Sequence, residues 1–94
     1  MKLVWTGLAA RDRKAIREYV ARDNASAALA LDELLSEKAA RLLDYPSLGR
    51  PGRVEGTREL VVHRNYILVY DMTAEMLRIL RVLHAARQWP TMEG

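Results

Sequence analysis

Hydrophobic residues follow helical spacing in the first half of the chain. A short β-prone segment, Lys2–Trp5, is followed by Thr6, a residue type suited to cap the N-terminus of a helix. We therefore predict a first helix that starts at Gly7 and ends near Asp23 and Asn24. Its apolar face is expected to comprise Leu8, Ile16, Tyr19 and Val20.

A continuous apolar stripe over four turns predicts a second, longer helix. Asn24 or Ser26 is the candidate N-cap of this helix. Because the connection between the two helices is short, we expect an antiparallel helical hairpin. Pro46 and the GRPG run at 49–52 end the helical region. The stripe consists of Ala27, Leu31, Leu34, Leu35, Ala39 and Leu42.

The second half of the chain has the composition of β-strands. Asn65 lies in a tight turn at 64–65, where asparagine tolerates a positive φ, and a further turn is predicted at 73–74. The tail from His84 onward, residues 88–94 included, is expected to be irregular. The predicted strands cover Arg58–His63, 66–71 and 76–83. On the last of them, one face is expected to carry Leu77, Ile79 and Leu83.

The predicted order of elements is β-α-α-β-β-β. The last three strands should form an antiparallel meander that the first strand joins, with the helical hairpin covering one face of the sheet. The sequence therefore predicts an α+β fold in a single domain that spans residues 1–94, with the other face of its sheet open.

Composition excludes several classes of protein. The chain has 94 residues, of which 50% are hydrophobic and 29% charged, as is typical of a globular domain. No apolar run approaches the roughly 20 residues that span a bilayer, and we expect no signal peptide. Cysteine is absent, which excludes disulfides and thiolate metal sites. We expect a cytoplasmic protein that uses neither metal nor cofactor.

The net positive charge is small, but most of the cationic residues are arginine. The net charge is +3, and twelve of the fifteen cationic residues are arginine. Arginine binds phosphate through a planar, two-pronged set of donors that lysine lacks. A GC-rich genome enriches arginine as well, so the bias has two explanations.

Several short motifs, in this order and spacing, resemble the RelE/ParE superfamily of bacterial toxins. The resemblance covers nearly the whole chain, and the fold of that superfamily is the β-α-α-β-β-β arrangement predicted above. The motifs are WT (5–6), IREY (16–19), AA (27–28), GRP (49–51), GTRELVV (56–62), YILVY (66–70) and ILRVLHAARQWP (79–90).

The resemblance implies the toxin of a type II toxin–antitoxin module, which causes growth arrest and can stabilise plasmids. A cognate antitoxin neutralises such a toxin in a hetero-oligomeric complex, and we expect an antitoxin helix in the apolar grooves beside the helical hairpin. One branch of the superfamily cleaves messenger RNA in the ribosomal A site. Another branch poisons DNA gyrase and has no nuclease activity, and a member with weak or lost toxicity is a third alternative.

RNA cleavage by a 2′-hydroxyl needs a proton acceptor, a proton donor and cations around the phosphate. His63 and His84 are the residues that titrate near neutrality. The resemblance assigns His84 as catalytic acid or base, and we expect Arg87 and Arg58 to complete the catalytic site by holding the scissile phosphate. The other residues expected to contact RNA or phosphate are Arg81, Arg53, His63 and Arg64.

Each of these residues also has a structural interpretation. His84 can cap the last strand, Arg81 can form an ion pair at the sheet edge, and Arg58 can pair with a neighbouring glutamate. Lysine is nearly absent from the second half, and the tail carries Trp89 where nuclease relatives place a tyrosine. We favour a ribosome-dependent mRNA endoribonuclease because of the His84–Arg87 spacing and the arginine bias. A gyrase poison is the alternative.

Overall fold

The structure is a computed structural model that describes residues 1–85. It confirms the α+β class and the predicted order of the elements, to which it adds one short strand. The elements are β1 (Lys2–Trp5), α1 (Gly7–Ala21), α2 (Ala25–Arg41), β2 (Arg50–Pro51), β3 (Arg58–His63), β4 (Tyr66–Met72) and β5 (Met76–His84).

The five strands form one mixed sheet in the order β1-β5-β4-β3-β2. Strands β3, β4 and β5 are the predicted antiparallel meander. Strand β1 joins the sheet parallel to β5, with Lys2 opposite Met76 and Trp5 opposite Ile79. A parallel neighbour needs a long crossover, and here β1 is linked to the meander through the helical hairpin.

Strand β2 is an addition that the sequence did not predict. Arg50 lies opposite Glu59 and Pro51 lies opposite Arg58, antiparallel to β3. Proline has no backbone N–H to donate, so it is tolerated at the edge of a sheet. The GRPG run therefore ends the helical region, as predicted, and also contributes the outermost strand.

Both helices begin at side-chain caps. The Thr6 hydroxyl oxygen accepts the Ala9 N–H at 3.2 Å, which confirms the first cap. Of the two candidates for the second cap, Asn24 is the one used, and its Oδ1 accepts the Ala27 N–H at 3.0 Å. Helix α1 ends at Ala21, shortly before the predicted end.

The core lies between the helical hairpin and one face of the sheet. On α2 the stripe residues Leu35, Ala39 and Leu42 are buried as predicted. On α1 the predicted face is wrong at two positions, because Leu8 and Tyr19 are 54% and 66% exposed. The core cluster is formed by Ala9, Leu35, Ala39, Leu42, Val62, Leu68, Tyr70, Leu77, Ile79 and Val82.

A β-bulge in β5 changes which residues face the core. Tyr70 of β4 lies opposite Ile79, whereas Val69 lies opposite Arg81, so Leu80 is an extra residue on β5. The alternation of sides therefore shifts by one position. Beyond the bulge Val82 joins the core cluster, and Leu83 is buried outside it. The prediction that Leu83 shares a face with Leu77 and Ile79 is therefore wrong.

Two predictions at the end of the sheet also need correction. The hairpin turn was predicted to place Asn65 at a positive φ, but Asn65 does not have one. The positive φ in residues 1–85 occurs at Gly56, at 83°. Strand β5 extends through His84, which the sequence placed in the irregular tail. Arg87, Trp89 and the predicted irregular end at 88–94 lie outside the described residues. Neither helix in residues 1–85 has the length and apolar character needed to cross a bilayer.

Candidate functional site

His63 and His84 both lie next to Tyr66, at the end of the sheet that contains the turn between β3 and β4. Tyr66 lies opposite His63 on one side and opposite His84 on the other. The Tyr66 ring centroid is 6.4 Å from that of His63 and 5.4 Å from that of His84, the second contact being edge-to-face. Both imidazoles are exposed, so they are accessible to a ligand or partner.

A groove of ≈750 Å³ opens beside His84, between α1 and the ends of β4 and β5. Ile16, Tyr19 and Tyr66 contribute apolar and aromatic surface to its walls. Asp12 and Glu18 line the same groove with carboxylates. Arg22 adds a guanidinium group, so the groove combines apolar surface with charges of both signs next to His84.

Arg81 is held by a carboxylate at this groove. Its Nε and Nη2 donate to the two carboxylate oxygens of Asp12 at 2.7 and 3.1 Å. Oxygen Oδ2 of Asp12 also accepts the backbone N–H of Val82 at 3.0 Å. The hydrogen bonds to Asp12 raise the pKa of Arg81, although partial burial opposes them. Arg81 thus forms an ion pair at the sheet edge, one of the two arrangements expected for it.

A second group of charged residues lies at the other end of β3. Glu59 is buried, and its Oε2 accepts the backbone N–H of Arg53 at 3.0 Å. Nitrogen atoms of the Arg50 and Arg53 side chains lie 3.6 and 3.8 Å from the other Glu59 oxygen, Oε1. Arg58 donates from Nη1 to the carbonyl oxygen of Gly49 at 2.6 Å. These contacts gather Arg53 and Arg58 around the β2 edge.

The register of the sheet keeps the two groups apart. Arg58 lies opposite Tyr70 on β4, whereas His84 lies opposite Tyr66. Four residues of β4 at 3.3 Å per residue separate these positions by about 13 Å along the strand. The structure therefore brings together His84, His63 and the adjoining Arg64, and it places Arg58 and Arg53 elsewhere. Arg87 lies outside the described residues.

The sequence did not indicate roles for Asp12, Glu18 and Arg50. It offered a neighbouring glutamate as a partner of Arg58, whereas Glu59 contacts Arg50 and Arg53. Asp12 is distant from Arg81 in the sequence, so no local pattern relates the two. Glu59 occupies a strand position where its burial depends on the pairing with β2. Across residues 1–85, no three His, Asp or Glu side chains lie close enough together to hold a metal ion.

Comparison with known proteins identifies relatives over most of the chain. The family described as the ParE toxin of the type II toxin–antitoxin system parDE matches residues 3–89. The protein Y4kP of Sinorhizobium fredii is 37% identical over 90 residues, which are 95% of this chain and 93% of that protein. Toxin RelE2 of Caulobacter vibrioides is 36% identical over 86 residues, which are 92% of this chain and 97% of the toxin.

Solved structures share the same fold. A structure of the chromosomal ParDE toxin–antitoxin system of P. aeruginosa superposes with a TM-score of 0.79 at 30% identity, covering 89% of this chain and 95% of that one. The RelBE2 toxin–antitoxin complex of Mycobacterium tuberculosis gives a TM-score of 0.65 at 25% identity, with 88% and 95% covered. YafQ from E. coli, at 20% identity and a TM-score of 0.64, shares the fold over 90% of this chain and 93% of its own.

Proposed function

Because this chain belongs to the ParE toxin family and is the toxin of a type II toxin–antitoxin module, we propose that it arrests growth by poisoning DNA gyrase without cleaving RNA. The observation that carries this proposal is the separation of His84 from Arg58 and Arg53. Cleavage of a phosphodiester needs the proton-transfer groups and the charge-stabilising cations around the same phosphate. Among the predicted cations within residues 1–85, Arg58 and Arg53 lie away from His84 and Arg81 is bound to Asp12, which leaves Arg64 beside the histidines. About 13 Å of strand lies between the two groups here, at 3.3 Å per residue.

The charges around His84 support the same proposal. The lining of the groove has two carboxylates, Asp12 and Glu18, and one guanidinium group, Arg22, and Asp12 is also paired with Arg81. These opposite charges balance, so the groove offers a phosphate backbone little net attraction. Arg81, the nearest predicted phosphate ligand on β5, already directs two donors at Asp12. A groove with apolar walls and charges of both signs suits contact with a protein surface better than contact with RNA.

The test measures supercoiling and translation in parallel. With purified gyrase and relaxed plasmid, we expect the toxin to reduce supercoiling and to accumulate cleaved DNA. In cells, induction should produce filaments and an SOS response while messenger RNA stays intact. Unchanged supercoiling together with codon-positioned cuts in mRNA after induction, mapped by primer extension, would contradict the proposal.

The ribosome-dependent endoribonuclease is the second candidate, and the exposed end of β5 favours it. His84 lies at the mouth of the groove against the edge of Tyr66, within reach of solvent and of a 2′-hydroxyl. In this mechanism His84 would take the 2′-hydroxyl proton or protonate the leaving 5′-oxygen. With purified ribosomes and mRNA, His84→Gln should then abolish cleavage, whereas the matched variant His63→Gln should retain most of it. Cleavage by His84→Gln at the wild-type rate would exclude this role.

The groove beside α1 is also the proposed site for the antitoxin. An amphipathic helix buries its apolar face in such a groove, and Ile16 and Tyr19 provide apolar contacts for it. The ParDE and RelBE2 relatives have antitoxin partners, which supports an antitoxin partner for this chain.

Substitution of an exposed aromatic residue tests this site. Tyr19→Ala should weaken binding of the antitoxin encoded beside the toxin by at least about tenfold, since buried aromatic anchors dominate such interfaces. Tyr45→Ala is the matched control, because Tyr45 is similarly exposed and lies outside the groove lining. Equal affinities of the two variants, measured by calorimetry, would place the antitoxin elsewhere.

A further inference from the structure

Arg50 and Arg53 lie at the β2 edge of the sheet, away from the groove. We propose that these two arginines, positioned by the buried Glu59, form a binding site for a phosphodiester group of nucleic acid. The proposal goes beyond the function proposed above, because it holds whether the cellular target is gyrase or the ribosome.

The contacts of these two arginines differ from those of the other paired arginines. Arg13, Arg78 and Arg81 each direct Nε and Nη2 at both oxygens of one carboxylate, at 2.6–3.1 Å. Arg50 and Arg53 instead share the single oxygen Oε1 of Glu59, at 3.6 and 3.8 Å. A guanidinium group has five N–H donors, so this shared contact leaves most of them for another acceptor. The two side chains are 61% and 44% exposed, so such an acceptor can reach them.

The backbone that carries the two arginines is held firmly at both ends. The Tyr70 hydroxyl accepts the N–H of Gly49 at 2.9 Å, and Arg58 donates to the Gly49 carbonyl. At the other end, the Gly52 N–H donates to the Thr57 carbonyl at 2.8 Å, and the N–H of Arg53 itself donates to Glu59 Oε2 at 3.0 Å. A side chain on a fixed backbone loses less conformational freedom when it binds a ligand.

Glu59 acts as the positioning residue of this site. Its side chain is 2% exposed and lies directly across the strands from Arg50. A buried carboxylate is stable only beside cations or hydrogen-bond donors, so Glu59 holds the two guanidinium groups next to each other. Residues 49–59 contain three arginines and two glutamates, so the segment keeps a positive net charge.

Two neighbouring guanidinium groups can bind one phosphodiester together. A phosphodiester has two non-bridging oxygens with several acceptor positions, so it can receive donors from both arginines at once, as the Asp32 carboxylate does from Arg13 and Arg17. Such groups repeat along a nucleic acid, which allows one backbone to use both side chains.

Fluorescence anisotropy on the full chain tests the site with two labelled probes, a short DNA duplex and an RNA of equal length. The double variant Arg50→Ala/Arg53→Ala should bind the probe about tenfold more weakly, and the slope of log K against log salt should become shallower by about 2. The matched control is Arg11→Ala/Lys14→Ala, which removes the same charge from exposed positions of α1. Equal losses in both double variants would overturn the proposal, since they would indicate diffuse attraction.

A second double variant distinguishes loss of the binding site from loss of folding. Arg50→Lys/Arg53→Lys keeps the charge and a cation beside Glu59, so the thermal unfolding midpoint should stay close to that of the wild type. Affinity should fall several-fold with an unchanged salt slope, because lysine lacks the two-pronged donor set. Affinity equal to that of the wild type would contradict the site.

The two probes distinguish DNA from RNA as the ligand, and a further measurement with the antitoxin distinguishes nucleic acid from an acidic protein. Loss of DNA binding, of RNA binding or of both supports the site and shows which nucleic acid it holds. If the alanine variant binds both probes like the wild type but loses affinity for the antitoxin, the surface binds an acidic protein and the proposal fails. The binding assay contains neither gyrase nor ribosomes. A negative result therefore contradicts the phosphodiester site without bearing on the proposed cellular target.

Discussion

Tyr70 shows how one side chain can hold a loop on the sheet. It is fully buried, and its hydroxyl donates to the Pro46 carbonyl at 2.7 Å and accepts the Gly49 N–H at 2.9 Å. Burial raises the pKa of this hydroxyl, which keeps it protonated and able to donate. A Cβ at Gly49 would lie 2.7 Å from the same oxygen, so glycine is needed at this close approach.

Removing that hydroxyl should destabilise the fold. Tyr70→Phe leaves a buried N–H and a carbonyl without their partner, so we expect the free energy of unfolding to fall by about 1–3 kcal/mol. Tyr45→Phe makes the same chemical change at a 58% exposed position and should have little effect. Urea unfolding of both variants measures the difference. Equal stability of the two would show that water replaces Tyr70 in both hydrogen bonds.

At the scale of elements, one aspartate joins the two helices. Asp32 of α2 accepts two hydrogen bonds from the Arg13 side chain of α1, at 2.7 and 3.1 Å, and Arg17 lies 3.3 Å from the same carboxylate. Arg13 also lies 4.6 Å above the ring of Trp5, so the contact reaches β1. The hydrogen bond from Arg13 lowers the pKa of Asp32, and partial burial opposes it.

This arrangement predicts a specific dependence of stability on pH. A lowered pKa in the folded state means that Asp32 stabilises the fold fully above its ordinary pKa of 3.8. That contribution is lost as the pH falls through the lower pKa of the folded protein. The stability difference between wild type and Asp32→Asn, about 1–2 kcal/mol near neutral pH, should therefore shrink below about pH 4.

Denaturant unfolding at several pH values between 3 and 7 measures this difference. Glu33→Gln, at the next and exposed position of α2, is the control and should alter stability little at any of these pH values. A difference between wild type and Asp32→Asn that stays constant down to pH 3 would mean that the Arg13–Asp32 contact does not stabilise the hairpin.

At the scale of the whole molecule, α1 closes the edge of β5 where β1 ends. Strand β1 stops opposite Ile79, and the Thr6 hydroxyl then donates to the Ile79 carbonyl at 2.8 Å. Six residues after Thr6, Asp12 of α1 accepts the Val82 N–H and binds Arg81. The Thr6 and Asp12 side chains thus take the place of β1 along β5 beyond Ile79, on the side of β5 that β4 does not cover.

Loss of the Asp12 carboxylate should therefore destabilise the whole fold. Asp12→Ala leaves the partly buried Arg81 without this carboxylate and Val82 without its acceptor, so we expect a loss of about 2 kcal/mol. Asp71→Ala breaks a similar two-pronged pair with the more exposed Arg78 and should have a smaller effect. Unfolding midpoints and hydrogen exchange at the Val82 amide measure both. A larger loss for Asp71→Ala would contradict this role of α1.

Local features of the chain were enough to predict the fold class, the two helices, the four longer strands and the cap at Thr6. Their causes are the period of the apolar residues, the side chains that cap helices and the residues that form turns. These causes act within a few residues, so they can be read along the chain. The motifs at 49–51, 56–62 and 66–70 likewise indicate the toxin family from their residues and spacing alone.

The β2 edge, the bulge at Leu80 and the distribution of the charged residues depend instead on tertiary packing. Arg58 and His84 belong to one chain segment rich in cations, yet the register of β3, β4 and β5 puts them at opposite ends of the sheet. The partner of Arg81 is an aspartate on α1, far away in sequence. Local periodicity does not encode such pairings, because a shift of one residue in register moves every side chain to the other face.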